Sequence, residues 1–242
     1  MLFALENVQL MKREKSGFRL IIEKLDISAG RHVALTGPSG CGKSTALDML
    51  GMVLAPDAAA SFTFTPEDIP VDIPLLWASG RLDAMALLRR RFMGYILQTG
   101  ELLPFLTVSD NITMPASLLG ISRKAANERA AALADRLDIS HLLRKYPAEI
   151  SIGERQRAAI ARALSSSPKV VLADEPTASL DPERASGVME LLLDTAGSCG
   201  TTVILVSHDR PLVKHFDLTE VPVSVKEGAD GIVTAVIRGE AR

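Results

Sequence analysis

Cysteine is nearly missing from this chain: Cys41 and Cys199 are the only two, too few for a disulfide framework, so both are expected to be reduced thiols in a cytosolic setting. Runs of positive charge are also missing. No Lys/Arg block exceeds Arg89-Arg90-Arg91 and the formal net charge is −2, which argues against nucleic acid as a partner. No apolar run approaches the ~20 residues that span a bilayer, and Met1-Leu2-Phe3-Ala4-Leu5-Glu6 lacks the basic opening of a signal peptide. Attachment to a membrane is therefore expected through a partner. There is no internal repeat and no low-complexity segment. With 47% hydrophobic and 23% charged residues among 242, the composition is that of a globular chain, and we expect one large α/β domain over residues 1–242.

What is present is organised around Gly37-Pro38-Ser39-Gly40-Cys41-Gly42-Lys43-Ser44-Thr45, which fits G-x-x-x-x-G-K-[ST] without a mismatch. An apolar run, His32-Val33-Ala34-Leu35, leads in as a buried strand, and Ala46-Leu47-Asp48-Met49-Leu50 leads out as a helix. The glycines let the backbone aim successive N–H groups at one concavity, and the new helix adds its positive dipole end. This is a cradle for a nucleotide's phosphates. Lys43 would reach the β- and γ-phosphates, Ser44 would hold Mg²⁺, and Thr45 would lie beside the phosphates nearest the ribose.

Along the chain, residues 2–8 and 18–27 are expected to be antiparallel strands around a polar turn at Lys12 to Gly17, forming a β layer before the phosphate loop. Residues 55–80 hold four prolines and are expected to be loop, with one short strand at Ser61-Phe62-Thr63-Phe64. Leu82 to Phe92 reads as a helix and Met93 to Leu97 as a strand delivering Gln98. Residues 109–120 and 122–138 read as helices, the second capped by Ser122. Ser151 caps a helix through Leu164, Lys169 to Ala173 is a buried strand, Pro182 opens a helix, and Thr202 to Val206 is a second buried strand. Val221 to Val225 and Ile232 to Ile237 form a terminal strand pair around Asp230-Gly231.

Val170-Val171-Leu172-Ala173-Asp174-Glu175 ends an apolar strand in two acids, where a P-loop ATPase places a Mg²⁺-directed Asp and a base for water. Ser151-Ile152-Gly153-Glu154-Arg155-Gln156-Arg157, Ser179-Leu180-Asp181, His208 after Val203-Ile204-Leu205-Val206-Ser207, and Gln98 complete the set. In this order the residues resemble the nucleotide-binding subunit of ABC transporters from Leu5 to about Asp217. Gln98-Thr99-Gly100-Glu101-Leu102-Leu103-Pro104 and Leu172 to Thr177 look most like the lipoprotein-releasing and macrolide-exporter branch.

The resemblance implies a P-loop NTPase fold of the ABC ATPase type, with a RecA-like core, the N-terminal antiparallel β layer and a helical subdomain at about 99–165. It implies ATP and Mg²⁺ as cofactors, bound by residues 37–45 with Ser151, Gly153, Glu154 and Asp181, and with Ser44, Gln98 and Asp174 on the metal. Glu175 would polarise the attacking water, and His208 and Gln98 would complete the catalytic set. Physically this is a split site in which a second subunit covers the γ-phosphate with Ser151 and the helix that begins there. A homodimer that drives an integral-membrane permease subunit from the cytoplasmic face of the cell membrane is the implied assembly. An ATPase that pulls on a cell-envelope signalling protein without moving solute is the alternative.

Three features depart from the family's pattern. Ile152 stands where the first of two consecutive glycines is usual. The adenine-stacking aromatic of the first strand is replaced by Met11 and Lys12, with Phe18 as the substitute at hand. Residues 65–80 lack the usual Gly-rich turn. His32, His141 and His215 have no motif around them and read as ordinary surface or packing residues.

Overall fold

The computed structural model describes residues 1–12, 17–98, 100–227 and 232–241. Its elements in chain order are β1 (Phe3–Lys12), β2 (Phe18–Ile27), β3 (Val33–Thr36), α1 (Lys43–Leu50), β4 (Ser61–Phe64), β5 (Val71–Asp72), α2 (Ile73–Ala78), α3 (Leu82–Phe92), β6 (Met93–Ile96), α4 (Val108–Leu118), α5 (Arg123–Arg136), α6 (Ile152–Leu164), β7 (Val170–Asp174), α7 (Pro182–Ser198), β8 (Thr202–Ser207), α8 (Arg210–His215), β9 (Thr219–Glu227) and β10 (Val233–Ala241). The expected α/β fold with an N-terminal antiparallel layer is present. The turn expected between β1 and β2 and the Asp230-Gly231 turn fall outside the described residues.

The chain divides into two compact units, Met1–Leu87 with Ile204–Arg242, and Leu88–Val203. In the first, the strand order is β5-β4-β1-β2-β10-β9-β3-β8. β1 pairs antiparallel with β2 and β4, while β3 runs parallel to both β8 and β9. All four residues of β3 are buried, as an apolar strand between parallel neighbours requires. The core of the antiparallel layer is aromatic and aliphatic: the rings of Phe3 and Phe64 stack at 4.7 Å, with Phe62, Leu20, Ile22, Leu25 and Ile27 fully buried around them. Each such side chain contributes roughly 1.5–3 kcal/mol by leaving water.

In the second unit, β6 and β7 pair in parallel from Met93↔Val170 to Ile96↔Ala173, and helix α4 packs on α5 and α6. Small residues let these helices approach. Ala126, Ala130 and Ala134 of α5 and Ala158, Ala159 and Ala163 of α6 are all buried. The expected Ser122 cap forms, its Oγ accepting from Ala125 N–H at 3.3 Å, and α4 gains a cap that the sequence reading did not name, Thr107 Oγ1 accepting from Asp110 N–H at 3.1 Å.

Two segments differ from expectation. Residues 65–80 are not only loop, since β5 and α2 form there. Pro74 sits in the first turn of α2 and Asp72 Oδ1 caps it, accepting from Leu75 N–H at 2.9 Å. Proline at that position lacks only an N–H that the helix leaves unpaired, so it starts the helix instead of breaking it. Helix α8, opened in the same way by Asp209 and Pro211, also goes beyond the sequence reading.

Candidate functional site

In the first unit, β3 ends at Thr36 and the chain turns through residues 37–42 into α1. Gly40 and Gly42 take φ of 74° and 95°, and a Cβ added to Gly42 would lie 2.4 Å from Phe18 Cζ. Only glycine fits there. Phe18, the aromatic considered for adenine, thus lies against the phosphate loop. Gly42 caps α1 without a side-chain hydrogen bond, leaving the start of the helix without a side-chain anion of its own. The Lys43 side chain is buried, and its Nζ donates to the carbonyls of Gly37 at 2.9 Å and Pro38 at 2.8 Å, with Cys41 Sγ at 4.0 Å. An ammonium held across a left-handed loop at a helix start is a cradle for anionic oxygens, so these residues fit the phosphates of a nucleotide.

A charge–dipole pin that sequence reading missed holds this loop's frame. The Thr36 hydroxyl donates to Glu220 Oε1 at 2.6 Å, and Arg210 Nε reaches the same oxygen at 2.8 Å. The Thr36 hydrogen bond and the Arg210 charge hold the Glu220 carboxyl below the usual carboxylate range. One side chain on β9 therefore ties the residue before Gly37 to the helix that follows His208. His208 itself is exposed at the end of the fully buried β8. Ser207 Oγ accepts from Asp209 N–H at 3.0 Å, and Asp209 caps α8.

In the second unit, Asp174 closes β7 and Glu175 follows with φ of 44°, both half-buried. A glutamate in the left-handed region is uncommon, and such backbone clusters at functional positions. Ala178 N–H donates to Glu175 O at 3.1 Å, closing a turn that leads to Ser179 and Asp181. Asp181 caps α7, accepting from Arg184 N–H at 3.1 Å. Gln98 is exposed at the turn after β6.

Ser151 and Glu154 form a reciprocal cap on α6. Ser151 N–H and Oγ each donate to Glu154 Oε2 at 2.7 Å, and Glu154 N–H returns to Ser151 Oγ at 3.4 Å. The hydroxyl and then the backbone N–H of Ser151 lower the Glu154 pKa. His141, read from the sequence as an ordinary residue, stands 3.8 Å from Glu154 Oε1. A Cβ on Gly153 would meet only Leu180 Cδ2, at 3.9 Å, so packing within the unit does not demand glycine there.

Ile152 occupies the first helical position with its side chain 45% exposed. It lines an open cleft of about 400 Å³ together with Glu101, Leu102, Pro104, Pro147, Arg155 and Ser179 among others. Beside this cleft Asn111, fully buried, knits the 103–107 loop to α4. Its Oδ1 accepts from Leu103 N–H at 2.7 Å, and its Nδ2 donates to the carbonyls of Leu103, Leu106 and Thr107 at 3.0 to 3.2 Å. That loop presents Phe105, 72% exposed. No group of three or more His, Cys, Asp or Glu suited to a metal ion occurs among the described residues.

The family described as ABC transporter matches residues 23–178. The lipoprotein-releasing system ATP-binding protein LolD of Saccharophagus degradans is 38% identical over 185 residues, covering 76% of this chain and 77% of that protein. The macrolide export ATP-binding/permease protein MacB of Nitrosomonas europaea is 40% identical over 186 residues, covering 77% of this chain and 27% of that protein. Among solved structures, a dimeric ATP-binding cassette in a post-hydrolysis state with ADP and Pi is similar, with a TM-score of 0.76, 29% identity and 96% of each chain covered. The chain belongs to the ABC transporter family, as an ATP-binding, ATP-hydrolysing subunit of the LolD and MacB type.

Proposed function

We propose that this ATPase forms a homodimer around two ATP molecules and drives an integral-membrane, permease-like partner of the lipoprotein-releasing or macrolide-exporting type. The observation that carries the docking is the Asn111-held loop, which exposes a large aromatic that does not contribute to the fold. Of the apolar stretch 102–119, Leu102 and Ile112 are buried whereas Phe105 and Leu118 stand out to solvent. Such an apolar surface suits a partner's cytoplasmic helix. No described helix is long and apolar enough to cross a membrane; the ATPase is read as peripheral, held on the cytoplasmic face through that partner.

We take residues 1–242 as one ATPase domain with a helical subdomain at 99–165. On the motifs, residues 37–45 bind the phosphates and Ser44, Gln98 and Asp174 hold Mg²⁺, which when bound would neutralise charge on the phosphates. Glu175 serves as base for the attacking water and His208 approaches the γ-phosphate. Ser151, Gly153, Glu154 and Asp181 are read as the surface offered to the second subunit's nucleotide. The relation to lipoprotein release rests on the relatives' names.

Purification from detergent-solubilised membranes tests the assembly. The parent is expected to bring down an integral-membrane protein with permease-like spans, and Phe105→Glu to reduce that yield by about tenfold, equivalent to 1.4 kcal/mol. An undiminished yield would place the docking surface elsewhere.

Ile152, in the Ser151 to Arg157 stretch, is read as a bystander. Its backbone is not in the left-handed region, and its side chain lines the cleft with Leu102 and Pro147, so its own backbone conformation does not require glycine. Ile152→Gly is expected to change the ATPase rate of the partner complex by less than about tenfold. A larger gain would show that Ile152 throttles the site.

A further inference from the structure

Gln156 lies in α6 with 1% of its surface exposed, and neither its Oε1 nor its Nε2 has a hydrogen-bond partner among the described residues. A primary amide carries two donors and an acceptor, and burying them unpaired is unfavourable where an apolar side chain of the same length would not be. Packing alone therefore does not explain glutamine at this position.

What rests on Gln156 is the chain just after Gln98. A Cβ on Gly100 would fall 3.2 Å from Gln156 Oε1, 3.3 Å from Arg155 O and 3.5 Å from Ala159 Cβ, so the Gly100 backbone lies directly on α6. Gly100 and Glu101 both take left-handed φ, 75° and 30°. Their carbonyls accept from the Arg162 guanidinium at 3.0 and 2.8 Å, and Gly100 N–H donates to Leu97 O at 2.9 Å. In this arrangement the polar groups of Gly100 are engaged elsewhere, although the nearest side-chain amide has its bonding capacity open. A rotation of the peptide joining Gly100 and Glu101, which no Cβ on Gly100 hinders, would turn one of its polar groups onto that amide.

We propose that Gln156 is a positioning residue, whose amide hydrogen-bonds the backbone around Gly100 in a second arrangement of the loop, the one in which Gln98 reaches the nucleotide site. Arg162 holds the loop in the first arrangement and Gln156 in the second, giving the segment two discrete settings that nucleotide binding can bias. The inference rests on the reading of Gln98 as a residue of the ATP site.

The test is Gln156→Met in the full chain, alone and combined with Gln98→Ala. Methionine fills the volume without the unpaired amide, so Tm is expected to stay level or rise. KM for ATP is expected to remain within about twofold and kcat to fall by about fivefold or more. In the Gln98→Ala background the same change is expected to have no further effect, because both act through one element. Amide exchange across residues 100–102 is expected to respond to a non-hydrolysable ATP analogue in the parent and not in Gln156→Met. Parental kcat in Gln156→Met beside a slow Gln98→Ala, losses that multiply in the double variant, or a drop in Tm with loss of nucleotide binding would each overturn the proposal. Parental turnover in Gln98→Ala would instead remove the role of Gln98, and the latch with it.

Discussion

Glu175→Gln is expected to keep nucleotide affinity and to lower ATP turnover by about 10²–10⁴-fold, the range for removing a positioned general base. The side chain is half-buried at the end of a strand whose first four residues are buried, and its own φ is 44°. That backbone is set by β7 and by the turn closed from Ala178, so glutamine inherits the same placement. The amide matches the carboxylate in shape and cannot take a proton from water. Turnover measured beside binding of a fluorescent ATP analogue separates the two effects. A loss under about tenfold would assign the base to another group.

Lys43→Ala is expected to act on binding itself. In the loop described above, Nζ bridges the carbonyls of Gly37 and Pro38 while the side chain is 4% exposed. The substitution removes the one ammonium held inside the described phosphate loop, and it also releases the two carbonyls the ammonium holds together. Charge-assisted hydrogen bonds are worth roughly 1.5–3 kcal/mol, so ATP affinity should fall about 10- to 100-fold. Titration calorimetry with ATP reads this directly, and affinity within about twofold of the parent would count against the cradle.

The phosphate loop was legible because everything it needs is local: a buried strand, a glycine-rich turn, a helix start and one lysine lie within consecutive residues. Ser151 and Glu154 were legible for the same reason, since a reciprocal cap is written three residues apart. The pin at Glu220 was not. It joins Thr36 to Arg210 through a strand far along the chain from Thr36, and no spacing rule brings those three together. Asn111 looked like any polar residue in an apolar stretch, and its importance lies in the backbone groups of a loop whose course sequence does not reveal. Residues 65–80 misled for a different reason. Proline was read as a breaker, and whether it breaks or begins a helix depends on one preceding side chain, here Asp72.

The place of β10 has a consequence for how the protein is made. It lies between β2 and β9, pairing Val233 with Phe18 on one side and with Glu227 on the other. During synthesis β1 and β2 emerge early, yet the edge of β2 that faces β10 stays open until residues 233–241 leave the ribosome. Contacts so distant in sequence form slowly, and an uncovered strand edge is a template for pairing with another chain. A nascent chain of this protein thus carries a sticky, half-built sheet until β10 is made, and chaperones that shield strand edges would find their target in β2.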